Sequence, residues 1–185
     1  MEQNPEIQGV SPAAYGRIKA IALDIDGVMT QGELIPLANG DLLRIMDAKD
    51  SFAVRVAAQK GYIVAFISGG KTEALTRRCL HLGCREENLY LGTRGKLAAF
   101  RDFCSRNSLD PSEIMYFGDD VPDTQVLKAA GIGIAPSDAA PDAREAADIV
   151  SGFPGGKGCV RHEIEKMMRL TGKWHFDPDK YDQIF

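Results

Sequence analysis

The 185-residue chain is poor in the residues that bind metals through nitrogen or sulfur. Its four cysteines, Cys79, Cys84, Cys104 and Cys159, contain no Cys-x-x-Cys pair, and its three histidines, His81, His162 and His175, are scattered. That spacing excludes a zinc-finger type of site. Cys79 and Cys104 fall in stretches with helical periodicity, which predicts buried free thiols rather than disulfides. Long apolar runs are also missing: none approaches the roughly 20 residues needed to cross a bilayer. The stretch from Met1 to Lys19 lacks the basic-then-apolar pattern of an export signal, so the expected compartment is the cytoplasm. Positive charge is not in excess, with 22 Lys and Arg against 26 Asp and Glu and a net charge of −4. No electrostatic footprint for nucleic acid or for an anionic membrane results. An anionic substrate would have to be held by local groups. Repeats and low-complexity tracts are absent, and a hydrophobic share of 44% argues against extensive disorder.

What is present is an alternation of short apolar runs with longer helical patterns. Strands are predicted at Lys19–Asp24, Tyr62–Ile67, Asn88–Leu91, Ile114–Phe117, Ile132–Ala135 and Asp148–Val150. Such runs, rich in Ile, Val and aromatics without polar alternation, suit strands buried on both faces of a parallel sheet. Helices are predicted at 51–60, 71–82, 95–107, 121–130, 141–147 and 157–171, with Gly61, Gly83 and Gly131 as left-handed C-terminal caps. Asp110-Pro111-Ser112-Glu113 reads as a capped turn. The alternation predicts a doubly wound α/β parallel sheet in a single domain over residues 1–172, followed by a polar tail over 173–185. One segment breaks the pattern. Residues 33–46 hold two extended stretches around Asn39-Gly40, which predicts a β-hairpin inserted after the first strand.

Open α/β sheets bind ligands at the carboxyl ends of their strands, so the polar residues there are the candidates. After the first strand come Asp24-Ile25-Asp26-Gly27. Two carboxylates at i and i+2 can point to one side, where one of them needs a cation or a proton. A calcium loop would need a third acid before the glycine and a flanking helix; a solvated turn is the plain alternative. After the second strand, Ser68-Gly69-Gly70-Lys71 offers a hydroxyl and free N–H groups that suit an anion, though the same residues suit any turn. Lys96 opens a helix, where a cation is slightly unfavourable unless an anion lies close by. Gly118-Asp119-Asp120-Val121-Pro122-Asp123 reads as a helix N-cap cluster, a hard-cation site, or both.

Taken in order, Asp-x-Asp-Gly, Ser, Lys and Gly-Asp-x-x-x-Asp resemble the four-motif pattern of the haloacid dehalogenase superfamily over residues 19 to 150. The resemblance implies a Rossmann-like fold and a Mg2+-dependent phosphatase. Asp24 would be the nucleophile and Asp26 the general acid/base. Ser68 and Lys96, with Gly69 and Gly70, would hold the phosphoryl group. Asp24, Asp119 and the Asp26 backbone carbonyl would bind Mg2+, with Asp120 and Asp123 behind them, Asp123 positioning Lys96 or a metal-bound water. A second aspartate two residues after the nucleophile serves phosphate chemistry; attack on a carbon–halogen bond would not need it.

Between Asp26 and Ser68 there is room for a hairpin and one helix only, and between Lys96 and Asp119 for a helix and a strand, so no cap domain fits. That layout resembles the capless, tetrameric 3-deoxy-D-manno-octulosonate 8-phosphate (KDO 8-phosphate) phosphatases. The shared features are Asp24–Thr30, the hairpin, Asp47–Ser51, Ser68–Lys71, Gly118–Asp120 and Gly155-Gly156-Lys157-Gly158. Two positions depart: Lys49-Asp50-Ser51 stands where Arg-Asp-Gly or Lys-Asp-Gly is more usual, and Lys157 where Arg is usual. A sister group acting on KDN 9-phosphate shares Asp50-Ser51 but has Glu and Lys where this chain has Gly70 and His81, so the KDO branch is the nearer. The resemblance implies a sugar-acid phosphate as substrate, with Arg78 gripping its carboxylate and Lys49 and Lys157 as further contacts. It also implies a homotetramer with the apolar hairpins of Leu34, Ile35, Leu37, Leu42, Leu43, Ile45 and Met46 packed at its centre. A neighbour would close the open site through Gly155–Gly158 or an aromatic tail of Trp174, Phe176, Tyr181 and Phe185. Two rival classes remain: a non-catalytic oligomerisation module, which would be expected to lose the nucleophile, the acid/base or the metal aspartate, and a phosphomutase, which would need a cap.

Overall fold

The structure, a computed structural model, describes residues 10–177 and residue 179. In chain order its strands are β1 (Ala20–Leu23), β2 (Ile35–Pro36), β3 (Leu42–Leu43), β4 (Ile63–Ser68), β5 (Leu89–Leu91), β6 (Ile114–Phe117), β7 (Ile132–Ala135) and β8 (Ile149–Val150). Six of them form one parallel sheet in the order β5-β4-β1-β6-β7-β8, and β2 and β3 pair antiparallel as the expected hairpin. The helices are α1 (Pro12–Arg17), α2 (Ala48–Gln59), α3 (Glu73–His81), α4 (Lys96–Arg106), α5 (Thr124–Ala129), α6 (Pro141–Ala146) and α7 (Cys159–Leu170).

Successive strand residues point to opposite faces, and both faces are covered. In β1, Ile21 and Leu23 join a core with Val54 of α2, Cys79 of α3 and Ile164 of α7. Ala20 and Ala22 face the other way, onto Phe100 and Phe103 of α4 and Val126 of α5. Every residue of β1, β6 and β7 is buried, which is why these runs carry no polar alternation. The chain leaves β1 for β4 on one side and later returns to β6 on the other. The carboxyl end of β1 is therefore the switch point at which open α/β sheets hold ligands.

The differences from the sequence expectations are local. Helix α2 starts at Ala48, earlier than expected, because the Asp47 side chain accepts from the N–H groups of Lys49 and Asp50 at 2.7 and 3.0 Å. The helix expected over 121–130 is a 3-10 turn, Val121–Asp123, leading into α5. Gly61 and Gly83 have positive φ as expected, but Gly131 is not among the glycines with positive φ. It is needed for space, since a Cβ there would lie 2.2 Å from the Ser112 carbonyl oxygen. Helix α1, capped by Ser11, has no counterpart among the expected elements. The four cysteines are buried free thiols, and no helix among the described residues is long and apolar enough to cross a membrane.

Two features of the resemblance, the Asp47–Ser51 motif and the aromatic tail, have scaffold contacts in this chain. Asp50 is buried and accepts from the N–H groups of Gly158 and Arg161 at 3.1 and 2.7 Å, capping α7 from α2. Trp174 and Phe176 pack on Phe52 of α2, with ring centroids 6.2 and 6.0 Å away, and the Arg161 guanidinium lies 4.7 Å from the Trp174 ring centre. Within the single chain that part of the tail packs on α2 and α7; Tyr181 and Phe185 lie outside the described residues.

Candidate active site

Three adjacent strands deliver the candidate residues to one cavity of about 580 Å3, lined among others by Asp24, Asp26, Ser68, Lys96, Asp119 and Asp123. Asp24 follows β1, Ser68 ends β4 and Asp119 follows β6. Lys96 is the first residue of α4 and is buried between two carboxylates, its Nζ 2.9 Å from Asp24 Oδ2 and 2.7 Å from Asp123 Oδ1. This explains a lysine at the positive end of a helix: the anions are there. The Ser68 hydroxyl accepts from the Gly70 N–H at 3.2 Å. Backbone bonds from Gly92 to Gly70 (3.1 Å) and from Thr93 to Ser68 (3.1 Å) tie the loop after β5 to the loop after β4, bringing Thr93 and Arg94 to the cavity wall.

Glycine makes this crowding possible. At Gly27, with φ of +87°, a Cβ would fall 1.9 Å from Asp119 Oδ2, so only glycine lets that carboxylate close on the β1 loop. Gly155 packs so tightly that a Cβ would be 1.7 Å from the Gly27 carbonyl oxygen, and Gly156 donates to the Val28 carbonyl at 2.8 Å. The Gly-Gly-Lys-Gly loop thus braces the turn that carries Asp24 and Asp26, which gives the motif a reason independent of the sugar.

The electrostatics follow from burial. The Asp24 carboxyl is pushed up to about 6, first by desolvation and then by repulsion from Asp123, while Lys96 works against both. Asp119 is pushed up to about 8 by desolvation, then by Asp24 and Asp123. Burial alone would lower the Lys96 ammonium, but Asp24 and Asp123 outweigh it and raise it. The Tyr116 hydroxyl is held far above its usual range by burial and by Asp123.

Asp24, Asp119 and Asp123 present carboxylate oxygens within 4.8 Å of one another, a grouping that fits a metal ion. Hydrogen bonding separates the three. Asp123 Oδ1 already accepts from Lys96 Nζ and the Tyr116 hydroxyl, and Oδ2 takes two long contacts of 3.4 Å from the N–H groups of Asp119 and Asp120. Its oxygens are spoken for, so Asp24 and Asp119 are the carboxylates left for a cation. Two crowded oxygen ligands that resist ionising together fit a hard divalent ion such as Mg2+. Asp120, exposed, caps its own turn by accepting from the Val121 N–H at 2.8 Å.

The other expected contacts do not line this cavity. Lys49 and Lys157 line a separate cavity beside Arg161 and His162 of α7. Arg78 lines a cavity between the hairpin and α3. Two residues escaped the sequence reading. Tyr116, inside β6, reads as core yet holds Asp123. Arg44 grips Asp26 with two bonds, Nε to Oδ1 at 2.7 Å and Nη2 to Oδ2 at 2.9 Å, and its side chain is 6% exposed. The available signal was a lone cation in the apolar run Leu42-Leu43-Arg44-Ile45-Met46.

A parallel sheet with two aspartates at the end of its central strand, a serine and a lysine on flanking elements and further acids after the next strand defines a haloacid dehalogenase-like hydrolase. The family profile of that description matches residues 92–160. The chain is 33% identical over 156 residues to the 3-deoxy-D-manno-octulosonate 8-phosphate phosphatase of Escherichia coli K12, covering 84% of this chain and 82% of that protein. Its fold matches the crystal structure of the phosphatase of that name from Yersinia pestis with a TM-score of 0.83 and 28% identity, over 88% of this chain and 86% of that one. The Moraxella catarrhalis phosphatase, solved with magnesium, phosphate and KDO, matches with a TM-score of 0.81 and 26% identity over 93% and 94% of the two chains. The chain belongs to the 3-deoxy-D-manno-octulosonate 8-phosphate phosphatase family.

Proposed function

We propose that the protein hydrolyses a sugar-acid phosphate, 3-deoxy-D-manno-octulosonate 8-phosphate, to the free sugar acid and phosphate through a covalent intermediate on Asp24. The observation that carries the reading is Lys96 seated between Asp24 and Asp123 in the cavity that also holds Ser68 and Asp119. A buried carboxylate beside an ammonium can stay ionised to attack phosphorus, and the same ammonium then neutralises a phosphoryl oxygen. The Ser68 hydroxyl and the N–H groups of Gly69 and Gly70 supply further donors to that group. Asp123, fixed by Tyr116, keeps Lys96 in place. Asp26 gives a proton to the departing alkoxide and takes one from the water that hydrolyses the aspartyl phosphate. A Mg2+ held by Asp24, Asp119 and the Asp26 backbone carbonyl would supply charge neutralisation between carboxylate and phosphate.

The substrate assignment is tested by turnover over a panel containing KDO 8-phosphate, KDN 9-phosphate and neutral sugar phosphates. KDO 8-phosphate should show the highest kcat/KM, by at least tenfold over the neutral members. A preference for KDN 9-phosphate would move the chain to the sister activity, and no turnover of any member would strike the phosphatase reading.

The assembly belongs to the same proposal. Ile35, Leu43 and Ile45 of the hairpin are 49%, 48% and 65% exposed, and Leu34, Leu37 and Leu42 are exposed beside them. A two-stranded hairpin is barely stable alone, and a contiguous apolar surface on it calls for a partner. The occupant proposed is the hairpin of other copies, forming a tetramer. Light scattering should report a tetramer for the intact protein and a smaller species when Ile35 and Leu43, paired across the hairpin, are both changed to Asp. A fully active wild-type monomer would contradict it.

A further inference from the structure

Arg44 stands where two cavities meet. On one side it touches Asp26 and abuts Gly70, both in the wall of the active-site cavity. On the other it lines a cavity of about 380 Å3 between the hairpin and α3, together with Leu37, Leu42, Thr72, Leu75 and Arg78. The position is unusual for this segment, because the residues on either side, Leu43 and Ile45, are exposed while the Arg44 side chain is buried.

The grip on Asp26 conflicts with the task proposed for that residue. With both carboxylate oxygens bonded to one guanidinium, Asp26 is turned toward the hairpin, and protonating either oxygen would break one of the two bonds. Proton transfer to a leaving group requires Asp26 to be released. A second carboxylate is the group best able to take its place, since it fits the same planar fork of donors. The guanidinium rests directly on Gly70, where a Cβ would lie 2.6 Å from Arg44 Nη2, so it is held at the rim of the active-site cavity.

We propose that Arg44, rather than Arg78 in the wall of the same cavity, is the specificity-determining residue that exchanges Asp26 for the carboxylate of the substrate. The exchange seats the body of the sugar acid in the cavity between the hairpin and α3 and frees Asp26 for proton transfer. Phosphate esters without a second anion leave Arg44 on Asp26 and are turned over poorly. The inference rests on the phosphatase reading above and adds to it the device by which a sugar acid is selected.

The test compares KDO 8-phosphate with glucose 6-phosphate, which has an alkoxide leaving group but no carboxylate, in the wild type and in Arg44→Gln. Loss of the fork should lower kcat/KM for the sugar acid and, by releasing Asp26 to protonate the departing alkoxide, raise it for glucose 6-phosphate. The ratio of the two values should fall at least tenfold, the scale of one charge-assisted pair. A smaller fall, including equal losses on both substrates, would overturn the proposal and leave Arg44 as a mere support for Asp26. If Arg44→Gln does not fold, the ratio is read on Arg44→Lys, which keeps the charge without the two-point grip. A fall of at least threefold is then expected, and a smaller one overturns the idea. Wild-type protein inactive on both substrates would strike the phosphatase reading itself; an unchanged ratio in an active enzyme strikes only the role of Arg44.

Discussion

Asp24→Asn should reduce turnover by about 10³-fold or more, since it removes the nucleophile and leaves the shape of the site intact. The fold should not suffer. Asp24 is buried and its carboxyl is raised to about 6 by desolvation and by Asp123, so its charge costs stability in the metal-free chain. The sign follows from linkage. A carboxyl raised in the folded state contributes stability that is present below its unfolded pKa and lost as pH rises through the folded value. Asparagine removes that loss while Lys96 retains its bond to Asp123. Thermal unfolding near pH 7.5, without metal, should therefore give a Tm for Asp24→Asn equal to or above that of wild type. Activity within tenfold of wild type would end the proposed mechanism, whereas a large loss of Tm would mean that Asp24 is structural.

Chelation should abolish turnover, and added Mg2+ should restore it. Asp119→Ala should eliminate activity or weaken its dependence on the ion. A second readout does not depend on catalysis. Asp24 and Asp119, raised to about 6 and about 8, hold protons that a cation must displace, so binding releases protons and strengthens as pH rises through that window. The rise in Tm on adding Mg2+ should accordingly be larger at pH 8.5 than at pH 5.5, and should shrink in Asp119→Ala. Full activity in excess chelator, or a Tm indifferent to Mg2+ at both pH values, would contradict the cation site.

Much of this was legible from residues alone because strand ends are local events. Asp24, Ser68 and Asp119 each follow a short apolar run, and the parallel sheet brings the ends of β1, β4 and β6 together by register: Leu23 pairs with both Phe66 and Phe117. For Lys96 the residues left only a hint, its conflict with the helix dipole; its place in the site came from the family resemblance. The hairpin was legible through Asn39-Gly40, where Gly40 takes a φ of +87°.

Other features depended on where loops cross. Asp50 looks like part of a polar motif, yet it caps a helix that begins more than a hundred residues later; its neighbour in space is set by how α2 packs on α7. Tyr116 sits in a strand that reads as core throughout, and only the return of the Asp119–Asp123 turn over β6 makes its hydroxyl the partner of Asp123. Arg44 reads as a surface cation in a greasy hairpin until the hairpin folds down over Asp26. The sequence by itself determined the doubly wound sheet, the missing cap and the acids at the strand ends, because apolar period, turn residues and strand-end position act over a few residues. Only the tertiary structure decided which carboxylates stay free for a cation, which lysine is buried between charges and which arginine holds the acid/base. Those choices depend on desolvation and on contacts between segments far apart in the chain.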